Sequence, residues 1–512
     1  MLSKRRAGVL MHVSSLPSPY GVGVFGGETL HFIDKLQQMS FRFWQVLPFN
    51  PIDETGSPYR SESAFAGNLL FIDPATLAKD GYCTEAEARE NEYPGSPYTA
   101  DYGFALEKRL ALLRRCFDRM TAETAEKVRA FEQARPWVGE YALYKAIKET
   151  QDDAPWWTWP EQYRRFRVAW ENRRDLEERS AFYKFCQYLF CTQWERVKAY
   201  AHKHEVAVIG DMPIYLAPDS ADVWAHAELF QLDPDTLRPT KVAGVPPDYF
   251  SEDGQLWGNP LYDWDALKKT GYAWWLDRIE NALTTYDVVR IDHFRAFASY
   301  WEIPADSETA KNGDWAKGPG MDLFEKVFAR FPDAPIIAED LGTFGEDVVK
   351  LLQDTGFPGM RVVQFGFDPN GDSTHMPHNA PHNCVNYAGT HDNNTLLGYL
   401  WEAKPDEKRF ALDYCGFKGD NWGEGGYQAP ACRAIIEAVW RSGANTAIAA
   451  FQDLCGFGAD ARMNTPGTDK GNWLFRTTRE TIDKIDAAYF LRINRLYRRW
   501  YGLTFDDEQT EA

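Results

Sequence analysis

Charged side chains stand at the ends of several short apolar runs in this sequence. The run in DVVRIDHFRA (287–296) contains an arginine and an aspartate, and VAVIGD (206–211), PIIAED (335–340) and VNYAGTHD (385–392) also end in acids. Burying so many charged side chains without a function would cost free energy, so a common functional site explains them better than unrelated structural roles. The candidate residues are Asp211, Arg290, Asp292, Glu339, Asp340, His391 and Asp392.

Two of these carboxyl groups fit the two roles that cleavage of a glycosidic bond requires, a nucleophile and a proton donor. Asp292 fits the nucleophile, because Arg290 lies two residues earlier on the same strand face and favours the ionised carboxylate. Glu339 fits the acid, because it ends an apolar run and burial would raise its pKa. Asp392 would support the positive charge of the transition state, and His391 would donate a hydrogen bond to the sugar.

Each motif taken alone also has an ordinary structural interpretation. An arginine and an aspartate on one strand are often an ion pair, and IAEDLG (337–342) could be a strand followed by a helix cap. His391–Asp392 could form an Asx turn. The joint pattern favours function, because a barrel would bring all of these positions to one rim.

The elements that must position these residues are eight short apolar runs, most of them separated by helical patterns. Runs that are apolar on both faces are typical of parallel strands covered by helices. The pattern predicts an α/β protein, a (β/α)8 TIM barrel, with a doubly wound sheet as the alternative on pattern alone. The predicted strands lie in 7–16, 41–50, 206–215, 287–294, 335–342, 361–367, 385–394 and 446–454.

The spacing between the runs predicts insertions in a single catalytic barrel over 1–512. The segment 55–200 is rich in charged amphipathic patterns and is predicted to be an inserted, mostly helical subdomain. The segment 216–275 is rich in Pro, Gly, Asp and Trp and is predicted to be an irregular substrate-loop region. The chain after the last strand is too short for a sizeable C-terminal β-sandwich.

Composition narrows the class of protein. The net charge is −19, which argues against nucleic acid or an anionic membrane as a partner. Aromatic residues make up 15% of the chain, either as core packing or as rings that stack on sugars. The eight cysteines form no C-x-x-C motif, so we expect reduced thiols, no metal, no cofactor and a cytoplasmic protein.

Several motifs resemble those of one family, the 4-α-glucanotransferases called amylomaltases or disproportionating enzymes, within the α-amylase superfamily. The motifs are GDMPIY (210–215), DVVRIDHFRA, IIAEDLG (336–342), GTHDNNT (389–395), SPYRSESAFAGN (57–68), GVPPDYFSEDGQLWGNPLYDW (244–264) and RMNTPGT (462–468). The resemblance covers nearly the whole chain. It implies a retaining enzyme that moves α-1,4-glucan segments between maltooligosaccharides, with glucose among its small partners, through a glycosyl-aspartate.

The resemblance also implies roles for matching positions. Asp292 would be the nucleophile, Glu339 the acid/base and Asp392 the transition-state stabiliser. Other matching positions would bind the glucan; these are Arg290, His391, Asp211, Tyr59, Asp248, Trp257 and Asn464. The sequence departs from the family pattern at Asn394, where an acidic residue is expected.

Three rival functions stay open at this level. The first is a retaining α-glucan hydrolase on the same barrel, and the second is a non-catalytic glucan-binding protein. The third is a metal-dependent barrel enzyme such as an isomerase. Transfer rather than hydrolysis requires an oriented acceptor and shielding from water, and the loops 244–264 and 455–468 are the expected shields.

Overall fold

The computed structural model describes residues 1–247, 252–342, 345–468 and 470–505. Its strands, numbered in chain order, fall into two sheets. They are β1 (Arg6–Leu10), β2 (Phe43–Gln45), β3 (Ala207–Met212), β4 (Lys241–Val245), β5 (Gln255–Pro260), β6 (Val288–Ile291), β7 (Ser299–Pro304), β8 (Asp314–Lys317), β9 (Ile336–Ala338), β10 (Gly359–Val362), β11 (Cys384–Tyr387) and β12 (Thr446–Ala450).

The larger sheet is a closed barrel of parallel strands. Within the described residues it contains eight strands in the order β10-β11-β12-β1-β2-β3-β6-β9. The ring closes between its two ends, where the Ala338 backbone N–H donates to the Pro358 carbonyl oxygen over 3.0 Å. The predicted (β/α)8 barrel is confirmed, and each predicted apolar run overlaps one of these strands, although β1, β10 and β11 begin one or two residues earlier than predicted.

The barrel strands form where the sequence is apolar on both faces. One face fills the barrel interior, where Phe43, Ile209, Val288 and Ile448 pack together, and the other packs on the helices. The packing between strand and helix layer is tight at β3, because a Cβ on Gly210 would lie 2.0 Å from the Tyr286 ring. The tight fit fixes the strand immediately before Asp211.

Amphipathic helices cover the barrel. Glu346–Thr355 is an example: Val348, Leu351 and Thr355 are buried, and the helix ends at Gly356 in the left-handed region with φ 68°. The covering helices are Gly27–Gln38, Ala273–Thr285, Met321–Arg330, Glu346–Thr355, Leu396–Glu402, Pro405–Tyr414 and Pro430–Arg441. The chain after β12 holds Phe451–Leu454, Arg479–Lys484 and Ala487–Leu496.

The segment predicted as the helical insertion, 55–200, holds a run of helices. They are Pro74–Lys79, Glu85–Arg89, Tyr102–Asp118, Ala122–Ala134, Trp137–Thr150, Glu161–Arg164, Phe166–Glu171 and Glu177–Lys203, the last of which extends beyond the segment. Treating this segment as a separate subdomain is a proposal. Its tryptophans Trp156 and Trp159 are buried in its packing.

The long helix Glu177–Lys203 forms hydrogen bonds with Gly67 and Asp73, which lie in the segment that leads into the inserted helices. The buried Gln187 side chain accepts from the Gly67 N–H over 2.8 Å and donates to the Gly67 carbonyl over 2.9 Å. Gln193 makes the same pair of bonds with Asp73. These contacts anchor the stretch 57–68, which includes Tyr59, to the protein interior.

The smaller sheet was not predicted. It is antiparallel, in the order β5-β4-β7-β8, and β4 and β5 lie in the segment that the sequence indicated to be irregular loop. Its other two strands come from 299–317, after β6, where no strand was expected. β5 and β8 are mostly exposed or half-buried, and three of the four strands contain Gly or Pro, so the pattern does not show the regular alternation of a strand.

Within the described residues, none of the helices has both the length and the apolar character that spanning a bilayer requires.

Replacing Gln187 with leucine should lower the free energy of unfolding. The change keeps the volume but leaves the N–H and C=O of Gly67 without partners, which costs about 1–3 kcal/mol for a buried group. Urea denaturation measures the change. Gln133→Leu, on an exposed helix position, is the control and should shift stability by less than about 0.5 kcal/mol. Equal stability of the two variants would contradict the proposed anchor.

Candidate active site

The carboxyl ends of β3, β6, β9 and β11 meet at one end of the barrel beside an open pocket of about 290 Å³. Of the predicted site residues, the pocket is lined by Tyr59, Trp257, Asp292, His391, Asp392 and Asn464. Arg290 and Asp211 lie directly behind Asp292, and Glu339 lies beside it without lining the pocket itself. Asp248 lies outside the described residues.

Arg290 is the buried centre of the site. It sits directly across from Asp211 in the register of β3 and β6, and its Nη1 donates to both carboxylate oxygens over 2.7 Å. Its Nη2 lies 2.9 Å from Asp292 Oδ1. Tyr59 Oη donates to Asp211 Oδ2 over 2.7 Å, which completes the network. Arg290 thus holds two aspartates in fixed positions, one buried and one facing the pocket.

Asp292 has a raised pKa, at about 6. Burial is the largest cause; Arg290 opposes it, and Asp211 and Asp392 add to it. The sequence argument considered Arg290 alone, which does favour the ionised carboxylate. The net direction differs because burial and two nearby aspartates outweigh one arginine that is already shared with Asp211. The side chain is ionised at neutral pH and 30% exposed to the pocket.

Glu339 follows β9 and is almost fully buried. Its pKa is raised to about 8 by burial and then by the nearby charge of Asp292, while Arg290 and two backbone N–H groups oppose the rise. Those N–H groups belong to His293, which donates to Oε2 over 2.8 Å, and Leu341, which donates to Oε1 over 2.6 Å. Burial and the charge of Asp292 therefore favour the protonated form of Glu339 at neutral pH.

Asp340, the next residue, does not belong to the site. Its side chain pairs with Arg361 over 2.9 Å and accepts from the Met360 backbone N–H on the neighbouring strand β10. Successive side chains of an extended segment point to opposite sides, so only one of the two acids can face Asp292.

Asp392 is held from two directions. Asn464 Nδ2 donates to Asp392 Oδ1 over 2.6 Å, and His391 Nε2 lies 3.3 Å from Oδ2. Arg462 donates to the Asp392 backbone carbonyl over 2.7 Å. The loop is also braced internally, because Asn393 Oδ1 accepts from both the backbone N–H and the hydroxyl of Thr390 over 2.9 Å. These bonds run back along the chain and differ from the Asx turn at Asp392 that the alternative interpretation expected.

Aromatic rings form two walls of the pocket. Tyr59 stacks on His391 with ring centroids 5.2 Å apart, and Trp473 packs against both rings. On the other side Trp257 meets the His293 ring edge-on at 4.8 Å. Trp257 stands on β5, so the unpredicted smaller sheet supplies part of the site.

Sequence reasoning missed His293 as a site residue. Its backbone is left-handed, with φ 51°, an uncommon conformation for any residue except glycine. That conformation aims its N–H at Glu339 and places its ring in the pocket lining. The residue stands next to Asp292 in the motif, and this adjacency was the available signal. Tyr215, Gln255, Asn259, Asn472 and Trp473 also line the pocket. The first three lie within motifs quoted above but were not singled out as site residues, and the last two lie outside those motifs.

The comparison with protein families decides which family this is. The glycoside hydrolase family 77 model, 4-alpha-glucanotransferase, matches residues 11–481. The chain belongs to the 4-alpha-glucanotransferase family. The family resemblance seen in the motifs is confirmed.

Members of this family resemble the chain over nearly its full length. A 4-alpha-glucanotransferase of Thermus thermophilus is 43% identical over 482 residues, 92% of this chain and 94% of that protein. One from Clostridium butyricum is 39% identical over 496 residues, 96% and 100% of the two chains. The structure of an amylomaltase from Streptococcus agalactiae in complex with acarbose superposes with a TM-score of 0.92 at 37% identity, covering 98% and 100%.

Removing the charge of Arg290 should shift the titration of Asp292. Arg290→Gln takes away the guanidinium that lowers the pKa of Asp292, so the acidic limb of kcat/KM should move up by about one pH unit or more. The pH dependence of maltotriose turnover measures this. Arg361→Gln breaks the other buried arginine–aspartate pair and should leave the acidic limb in place. An unmoved limb in Arg290→Gln would contradict the assignment.

Proposed function

We propose that this protein is a retaining 4-α-glucanotransferase that moves α-1,4-glucan segments between maltooligosaccharides through a covalent glycosyl-aspartate. Asp292 is the nucleophile and Glu339 the acid/base. Two inversions at one carbon give net retention of the α-linkage. The family membership and the geometry around Asp292 support this proposal.

The observation that carries the proposal is the opposite ionisation of two neighbouring carboxyl groups. With pKa values of about 6 and about 8, Asp292 is an ionised nucleophile and Glu339 a protonated acid near pH 7. Environments that separate two titratable groups in this way indicate their acid and base roles.

Asp392, with His391 beside it, is proposed to stabilise the positive charge that develops on the sugar ring. Its carboxylate faces the pocket and is fixed by Asn464 before any substrate arrives, which is the preorganisation that electrostatic catalysis requires. His391 can donate a hydrogen bond to the same sugar.

The glucan is proposed to lie along the aromatic walls. Tyr59 and Trp257 would stack on sugar rings, and Asn464 and Arg290 would act through hydrogen bonds and charge. A role for Asp248 is a proposal from the motif alone. The donor and acceptor are proposed to be α-1,4-glucans, with glucose as the smallest product.

Transfer has to compete with water at the second step. Water is present at tens of molar, whereas a well-oriented acceptor can reach effective concentrations of about 10⁵–10⁸ M. Residues of both predicted shielding loops line the pocket, including Trp257 and Gly467. We propose that these loops exclude water from the intermediate, which favours the glucanotransferase over the hydrolase alternative.

A cytoplasmic location is part of the proposal. It rests on cysteine usage, because the thiols of all eight cysteines are unpaired in the described chain.

Incubation with maltotriose tests the proposed reaction. A transferase yields glucose together with chains longer than maltotriose, whereas a hydrolase yields only shorter products. A glucan-binding protein yields none. Asp292→Asn should reduce turnover at least about 10³-fold, because the nucleophile is lost while the shape is retained. Glu346→Gln, an exposed acid on a covering helix, is the control. Products no longer than maltotriose would contradict the transferase assignment.

The pH dependence follows from the two carboxyl groups. Below about pH 6 Asp292 gains a proton and stops being a nucleophile, and above about pH 8 Glu339 loses the proton that it donates. We expect a bell-shaped kcat/KM between these limits. Glu339→Gln should lose most activity, and its residual turnover should lack the alkaline limb. An alkaline limb that persists in Glu339→Gln would belong to another group.

A further inference from the structure

A small cavity behind the active-site pocket adjoins the loop that carries His391 and Asp392. Its volume is about 20 Å³. We name it the rear cavity and define it by its lining residues His12, His391, Asn394, Asp453 and Arg462. His391 lines both this cavity and the active-site pocket, and Arg462, which also lines the cavity, donates to the Asp392 backbone carbonyl. A change in the rear cavity can therefore reach the site through these residues.

Asp453 is the acid of the rear cavity, and it has no part in the proposed chemistry. It follows β12 in the short helix Phe451–Leu454 and is 3% exposed. Its Oδ1 accepts from the Leu396 backbone N–H over 2.7 Å. That N–H starts the helix that directly follows the His391–Asp392 loop, so Asp453 fixes the loop where it ends.

Some side-chain polar atoms of Asp453 and Asn394, two residues that line the rear cavity, lack protein partners in the described part of the chain. Among the described residues, Asp453 Oδ2 and both side-chain polar atoms of Asn394 are buried and have no hydrogen-bond partner. Buried polar groups almost always have a partner, either protein or ordered water. A cavity of about 20 Å³ has room for one water molecule, for which about 10–15 Å³ is needed.

We infer that Asp453 is a positioning residue for His391 and Asp392, and that it acts through Leu396 and through one ordered water shared with Asn394. The inference rests on the proposed function, because it assigns a task to the loop that this function uses. The water accepts from the amide of Asn394 and donates to Asp453 Oδ2. The loop is then held from behind by Asp453 and from the front by Asn464 and Arg462.

The surroundings of Asp453 indicate which side chains could replace it in positioning the loop. Two buried thiols, Cys432 and Cys455, lie near it, and its charge contributes to their raised pKa values. Burial also raises the pKa of Asp453 to about 7, against the Leu396 N–H. The bond from the Leu396 N–H to Oδ1 and the unpartnered Oδ2 make hydrogen bonding its contribution to the loop. An asparagine offers the same shape, one acceptor and a donor, and should replace it.

Loss of Asp453 should lower kcat. Loss of Asp453 releases the loop on one side and lets Asp392 move away from the position in which it stabilises the transition state. Trp257 stands on β5, outside this loop, and its proposed stacking on the glucan is retained, so KM should change little. A displacement of about 1 Å can cost on the order of 10²-fold in rate.

The test compares Asp453→Leu with Asp453→Asn for kcat, KM and melting temperature with maltotriose. We expect the leucine variant to lose about 10- to 100-fold in kcat at nearly constant KM. The asparagine variant should stay within about threefold of wild type. A leucine variant with wild-type kcat, or an asparagine variant as slow as the leucine variant, would overturn the inference.

A second variant covers the case in which Asp453→Leu does not fold. Asn394→Leu removes the amide partner of the water and keeps the Leu396 contact, so it should lower kcat at constant KM. A wild-type kcat in the Asn394→Leu variant would overturn the proposal that a water shared by Asn394 and Asp453 positions the loop.

Crystal structures separate this inference from the proposed function. Failure of the proposed function would appear as wild-type enzyme that forms no chains longer than maltotriose. In that event a water in the rear cavity of the wild type and a displaced His391 in a variant would still support the positioning role. An empty cavity with an unmoved loop would overturn it.

Discussion

The buried guanidinium of Arg290 is the charge on which the arrangement at the strand ends depends. Asp211 lies directly across from Arg290 in the register of two adjacent strands, and Asp292 lies two residues after Arg290 in the chain. Without a shared cation, two acids in one low-dielectric site would repel each other or take up protons. The arginine holds both in place, and Asp292 stays ionised near neutral pH although burial raises its pKa.

The acids around this centre differ in function because their surroundings differ. Glu339 is buried beside the charge of Asp292, and its pKa rises to about 8. Asp340, one residue later, turns to the other side and pairs with Arg361. Asp392 stands on a turn that Asn464 fixes from one side. In the proposed mechanism, one barrel thereby provides a nucleophile, an acid and an electrostatic stabiliser from carboxyl groups alone.

Much of this could be predicted from sequence, because strands that are apolar on both faces leave a clear pattern and barrel sites lie at their carboxyl ends. The smaller antiparallel sheet could not, since its short, half-exposed strands show no alternation. The left-handed backbone of His293 and the sum of charges at Asp292 are set by tertiary contacts. Asp453 was also missed, because Leu396, to which it bonds, is distant in sequence.

The central claim is that Asp292 is ionised and Glu339 protonated in the resting enzyme at pH 7. Neutron diffraction from crystals grown near that pH observes the protons directly. The account predicts one deuterium on a Glu339 oxygen and none on Asp292. Deuterium on Asp292, or a Glu339 carboxyl without one, would contradict it.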